Sequence, residues 1–122
     1  MNEQELIGLM LPDGMLDYFE ITNAERNSDA YTLHLAELNI APDGYKNSKL
    51  VSKGFYEPTT IQDFPLRGKA CYLTIKRRRW FDEDTGTIVM RDWSMVAKGT
   101  RMTAELAAFL KELDRYHAGK LP

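Results

Sequence analysis

Apolar residues follow a helical spacing at both ends of the chain and alternate with polar ones in between. From Asn2 to Leu11 the positions Leu6, Leu9 and Met10 form a stripe with Ile7 beside it, and Asn2 can cap the turn. Pro12-Asp13-Gly14 stops that helix. Alternation takes over from Met15 to Asn23, with Phe19 and Ile21 on one face, and Asn27-Ser28-Asp29 reads as a hairpin turn. Ala30 to Leu38 returns, with Tyr31, Leu33 and Leu35 together and His34 opposite, between Thr32 and Ala36. Asn39 to Phe64 is rich in turn residues and reads as a long irregular region, with a short strand from Leu50 to Tyr56. Gly68 to Phe81 starts as a clear strand: Cys71, Leu73 and Ile75 take the core face, and Tyr72, Thr74 and Lys76 the other. An acidic connection from Asp82 to Gly86 leads into a return strand, Thr87 to Trp93. Thr103 then caps the strongest helix, with Leu106, Phe109, Leu110 and Leu113 at period 3.6 and Gly119 as its stop.

These elements predict an α+β fold. An antiparallel sheet of four or five strands carries the C-terminal helix on one face and the short N-terminal helix at an edge. The 122 residues fit a single domain, and 43% hydrophobic content supplies a core at that size. No apolar run reaches the roughly 20 residues of a membrane helix. The acidic start MNEQELIGLML has no basic leader or small-residue cleavage site, so no secretory signal is expected there. One cysteine permits no internal disulfide, which fits a cytoplasmic setting.

Charge changes the picture at one place. Between Phe64 and Phe81 there is no Asp or Glu, but there are Arg67, Lys69, Lys76, Arg77, Arg78 and Arg79, so the window is +6 in a chain of net charge −2. A concentrated basic stripe on an acidic remainder points to a located anionic partner. Trp80 follows the arginines, and Arg91 and Trp93 lie on the return strand. Basic side chains interleaved with aromatics suit phosphate contacts beside a base-stacking surface, and a two-stranded ribbon can enter a nucleic-acid groove. Lys46, Lys49 and Lys53 extend the same basic surface. On this reading Ile75 marks where the strand leaves the core and continues as an exposed ribbon. Six phosphate contacts would give a log-affinity against log-salt slope of roughly −5.

Catalytic and metal signatures do not appear in the sequence. There is no nucleophile elbow, no phosphate-binding glycine loop and no dinucleotide fingerprint. Cys71, the sole thiol, falls inside a strand, and His34 and His117 are far apart in sequence. One cysteine does not complete a structural zinc site, and the Asp82-Glu83-Asp84 loop lacks the remaining calcium ligands. No metal, cofactor or enzymatic activity is therefore expected.

The phrases Asp63-Phe64-Pro65, Gly68, Lys69 and Arg78-Arg79-Trp80, taken in that order, resemble an N-terminal module of bacterial insertion-sequence transposases. The likeness extends through Leu16-Asp17-Tyr18-Phe19-Glu20, Leu50 to Phe55, Arg91-Asp92-Trp93 and Gly99-Thr100-Arg101-Met102 to the separately encoded N-terminal region of ISAon-type transposases. The zinc cysteines of the larger family are missing here, so the loop and hairpin would be held by ordinary core contacts. The resemblance implies a non-catalytic DNA-binding accessory region that recognises the element's terminal inverted repeats, with the catalytic domain on another polypeptide or in a downstream reading frame. Its DNA contacts would be Arg67, Lys69, Lys76, Arg77, Arg78, Arg79, Trp80, Arg91 and Trp93. The alternative is a protein-interaction module that docks to the catalytic chain, or dimerises, through the stripe of the last helix or the helix at Leu6 to Met10.

Overall fold

A computed structural model of the chain describes residues 3–42, 49–91 and 102–120. Seven strands form two sheets, and the chain passes from one to the other inside the basic segment. The larger sheet has the order β1-β2-β5-β4, built from Phe19–Arg26 (β1), Ala30–Glu37 (β2), Thr59–Leu66 (β4) and Lys69–Lys76 (β5). The smaller has the order β3-β6-β7, built from Leu50–Phe55 (β3), Arg78–Asp82 (β6) and Thr87–Val89 (β7). Helices α1 (Glu3–Gly8), α2 (Met15–Tyr18) and α3 (Ala104–Lys120) complete an α+β architecture. Among the described residues no helix is long and apolar enough to cross a membrane.

The hairpins follow local chemistry. Asn27 turns β1 into β2 by accepting the backbone N–H groups of Asp29 and Ala30 on its side-chain oxygen, each at 2.8 Å. Arg67 and Gly68 turn β4 into β5, both with positive φ (54° and 81°), between the paired residues Leu66 and Lys69. Glycine suits that conformation. Arginine does not, and holding an L-residue there costs about 1–2 kcal/mol. The central pair, β2 and β5, runs parallel in register from Ala30↔Ala70 to Ala36↔Lys76, whereas its flanking pairs are antiparallel. Sheet order is therefore mixed at its middle and antiparallel at its edges.

The core lies on one face of the larger sheet. Leu35, Ile61, Leu73 and Ile75 pack there with Leu11, Met15 and Phe19, and Ile7, Leu16, Tyr18, Ile21 and Leu33 close around them. Alternation placed the β2 and β5 residues correctly. Fully burying one such side chain contributes about 1.5–3 kcal/mol.

Several elements differ from expectation, and the return strand β7 stops at Val89, before Arg91. Met15–Tyr18 is a helical turn, set by left-handed Gly14 (φ 78°) and the Met15 N–H donating to the Pro12 carbonyl at 3.1 Å, so β1 begins only at Phe19. Thr59–Leu66 is a strand that begins inside the segment read as irregular. Its Pro65 sits on an edge strand, where a missing N–H is tolerated, and Ile61 supplies the buried anchor. Helix α3 starts as expected after Thr103, whose Oγ1 accepts the Leu106 N–H at 3.3 Å, but it runs past Gly119 to Lys120. It lies against β4, with Leu106 buried and the Phe109 ring edge-on to Phe64 at 5.5 Å.

Candidate nucleic-acid interface

Strand β5 ends at Lys76 and β6 begins at Arg78, so Arg77 is the hinge between the sheets. This break reverses the roles of the two faces. In β5 the odd-numbered Leu73 and Ile75 are buried, whereas in β6 the even-numbered Trp80 and Asp82 are buried. Continuous alternation had assigned Trp80 to solvent. It is instead 1% exposed, and its indole Nε1–H donates to Glu37 Oε2 at 2.7 Å. A stacking or wedging role for Trp80 is thereby excluded in this structure.

Glu37 gathers the interior ends of the basic segment. Its Oε1 accepts the Arg78 backbone N–H at 3.0 Å, and its Oε2 accepts the Arg91 Nε–H at 3.3 Å as well as the Trp80 indole. Its backbone carbonyl accepts the Arg78 Nε–H at 2.9 Å. Arg78 Nη1 donates to Ser52 Oγ at 2.8 Å. Arg91 is 7% exposed, stands 4.2 Å over the Tyr18 ring, and donates through Nη2 to the Ile40 carbonyl. Arg77 Nη2 donates to the Arg91 carbonyl. Arg77, Arg78 and Arg91 thus join β2 to β6 and to the segment after β7, and Arg91 is no surface phosphate contact. Sequence signals for Glu37 existed: it continues the core-facing row Leu33–Leu35, where a charge needs a partner.

The outward-facing residues make a different surface. Lys76 is exposed and its Nζ stands 5.4 Å over the Phe55 ring, whose centroid is 4.7 Å from the Arg78 guanidinium. Arg79 is exposed, 5.8 Å over Tyr56, and Lys53 Nζ is 5.9 Å over Phe81. Phe55 reaches this position because Gly54 adopts φ 82° at a register shift between Ser52 and Phe55, opposite Arg78. Phe55, Tyr56, Glu57, Arg79 and Ile88 line an open depression of about 480 Å³ beside it. Three exposed cations and two accessible rings are therefore interleaved at the junction of the sheets. Phe55 and Tyr56 lie at the end of the short strand expected from Leu50 to Tyr56, but nothing local in the sequence brings that strand beside Lys76 and Arg79, so only Lys53 stands out there as a candidate.

The other two basic residues lie elsewhere. Arg67 occupies the tip of the β4–β5 turn, and Lys69 stands over Tyr31 with its Nζ 5.3 Å from the ring. The length of β5 separates them from Lys76 by about 23 Å at a strand rise of about 3.3 Å per residue. The +6 window is divided into two ends and an interior. Trp93 lies outside the described residues, as do Lys46, the Gly99-to-Arg101 phrase and Asn2.

Two further buried polar groups hold the C-terminal helix. Asp63 Oδ1 accepts the Thr103 hydroxyl at 2.9 Å, and Thr103 N–H donates to the Gln62 carbonyl at 2.9 Å. Cys71 pairs in register with Asp63, and burial together with that carboxylate pushes its thiol above the ordinary range. Among the described residues no group of His, Cys, Asp and Glu is arranged to hold a metal ion.

No family model, curated protein or solved structure matches the chain.

Proposed function

We propose that the chain is a non-catalytic DNA-binding region that grips the nucleic-acid backbone through Lys53, Lys76 and Arg79 and seats a base or sugar against Phe55 and Tyr56. The observation that carries this reading is the cation–ring–cation arrangement at Phe55. An exposed aromatic flanked by Lys76 and Arg78 offers both a stacking face and charge for phosphate. Arg78 is partly committed to Glu37 and Ser52, so it orients Phe55 and lends charge, while Lys76 and Arg79 remain exposed. The phrases shared with the transposase N-terminal region favour the ends of a mobile element as the target, with catalysis on a separate polypeptide.

Three exposed cations predict a log-affinity against log-salt slope of about −3 on duplex DNA, shallower than the figure for six contacts. The test is a fluorescence-anisotropy titration at several salt concentrations. One duplex carries the inverted repeat flanking the gene and the other a scrambled sequence. Binding that flattens in the Lys76→Ala/Arg79→Ala variant and weakens in Phe55→Ala supports the assignment. Unchanged binding in both folded variants rejects it.

A further inference from the structure

At the far end of β5 from Lys76, an apolar pocket of about 320 Å³ opens between α1, β2 and the β4–β5 turn. Its walls include Ile7 from α1, Met10 from the turn after it, Tyr31 and Leu33 from β2, and Phe64 and Leu66 from β4, with Cys71 of β5 also lining it. The thiol's raised pKa keeps that wall neutral.

The apolar surface does not end at the pocket rim. Phe64 meets Phe109, and Phe109, Leu110 and Leu113 stay 51%, 37% and 39% exposed along α3. On the other side Leu6 of α1, and Leu9 and Met10 in the turn after it, stay 58%, 71% and 57% exposed. Apolar side chains on both flanks of a pocket extend well past what a single small ligand could cover, and such patches mark polypeptide contacts.

Charge at the mouth specifies what kind of polypeptide. Lys69 leans on the pocket-lining Tyr31, and exposed Arg67 sits in the β4–β5 turn next to the lining residue Leu66. Arg67 is held at φ 54° in a two-residue turn where asparagine or glycine would be unstrained. A strained residue at an exposed turn suggests a use for its side chain. Glu3 and Glu5 occupy the first turn of α1, so the positive rim is confined to the β4–β5 turn, which orients the occupant.

We infer that this pocket is a docking site for a segment of a partner polypeptide that inserts one aromatic or branched apolar side chain. Flanking carboxylates of the segment pair with Arg67 and Lys69. The site is independent of the DNA-binding surface and assigns Arg67 and Lys69 to protein contact instead of phosphate.

The test uses the full chain and two synthetic peptides, one with a phenylalanine flanked by aspartates and one with the same phenylalanine flanked by lysines. Oleate serves as a third probe. Cys71, the sole cysteine, reports occupancy through its alkylation rate. The expected result is that the acidic peptide binds and slows alkylation, and that the basic peptide does neither. Arg67→Asn should then weaken the acidic peptide about three- to fivefold, the worth of one exposed ion pair, while raising the denaturation midpoint. Met10→Glu, placed at the pocket edge, should abolish protection while the chain stays folded. Equal binding of both peptides, no binding of either, an unaltered affinity in Arg67→Asn, or protection of Cys71 by oleate alone would each overturn the proposal.

Discussion

Glu37→Gln changes one atom type at the point where the two sheets meet, and its cost can be worked from the geometry. The carboxylate serves three donors: the Arg78 amide on Oε1 at 3.0 Å, and the Trp80 indole and Arg91 guanidinium on Oε2 at 2.7 and 3.3 Å. A glutamine has one acceptor oxygen. If that oxygen faces Trp80 and Arg91, the new NH2 meets the Arg78 N–H donor to donor. A buried donor left without an acceptor costs about 1–3 kcal/mol. In addition, Arg91, with a side chain 8% exposed, loses its counter-charge, and breaking a buried pair from one side costs about 3–5 kcal/mol in all. A domain of this kind is stable by about 5–15 kcal/mol, so the variant should fold but weakly. With a urea slope of about 2 kcal/mol/M, the unfolding midpoint should fall by about 2 M. Adding Arg91→Met to Glu37→Gln should cost much less than the sum of the two single changes, because the uncompensated cation is removed. A midpoint shift below about 0.5 M in Glu37→Gln, or strict additivity in the double variant, would refute the claim that Glu37 fastens β6 to β2.

Three other outcomes are expected. Arg77→Ala/Arg78→Ala/Arg79→Ala should lower stability by roughly 2 kcal/mol, because Arg77 and Arg78 bond to Arg91, Glu37 and Ser52, whereas Arg79→Ala alone should stay within about 0.5 kcal/mol; thermal unfolding separates them. Thr103→Ala removes both the cap of α3 and the partner of buried Asp63, so it should cost about 1–2 kcal/mol and speed amide exchange in the first turn of α3. Cys71 has a raised thiol pKa in the folded chain, so that contribution to stability is fully present below the ordinary thiol range and is lost as pH rises through the folded value; denaturation midpoints in alkaline buffer should fall less in Cys71→Ala than in the parent.

The parts of the fold that rest on local rules were legible in the sequence. Period-two alternation identified Leu35, Leu73 and Ile75 as core, and the Thr103 cap located the start of α3. What escaped was a property of the whole chain: the change of sheet at Arg77. A strand that crosses between sheets keeps its alternation but exchanges its inner and outer faces, so Trp80 moved inside and Arg79 outside. The cations after Ile75 mark where the strand leaves the first core, but nothing between Gly68 and Phe81 announces that it enters a second sheet and buries Trp80. The same limit explains the mixed result for the basic residues. Their number is a sequence property, but which of them meet solvent depends on Glu37, a residue 40 positions before Arg77. Strand β4 was missed for a simpler reason, since Pro58, Thr59 and Thr60 read as turn chemistry until Ile61 and Asp63 are seen facing inward.

The parallel pairing of β2 with β5 has a consequence for how the chain reaches this structure. Every paired residue is 40 positions from its partner, whereas the β1–β2 and β4–β5 turns are local. Two hairpins can therefore appear early, each with little loop-closure entropy to overcome, but neither buries the core alone. Their collision along β2 and β5 is the slow event, and it brings Leu35 beside Ile75 in the same step. Until then Leu33, Leu35, Leu73 and Ile75 lie on two unprotected strand edges, and self-association competes with folding there. Changes that weaken this central seam should slow refolding and raise its dependence on protein concentration, while changes in α3 should act mainly on the rate of unfolding.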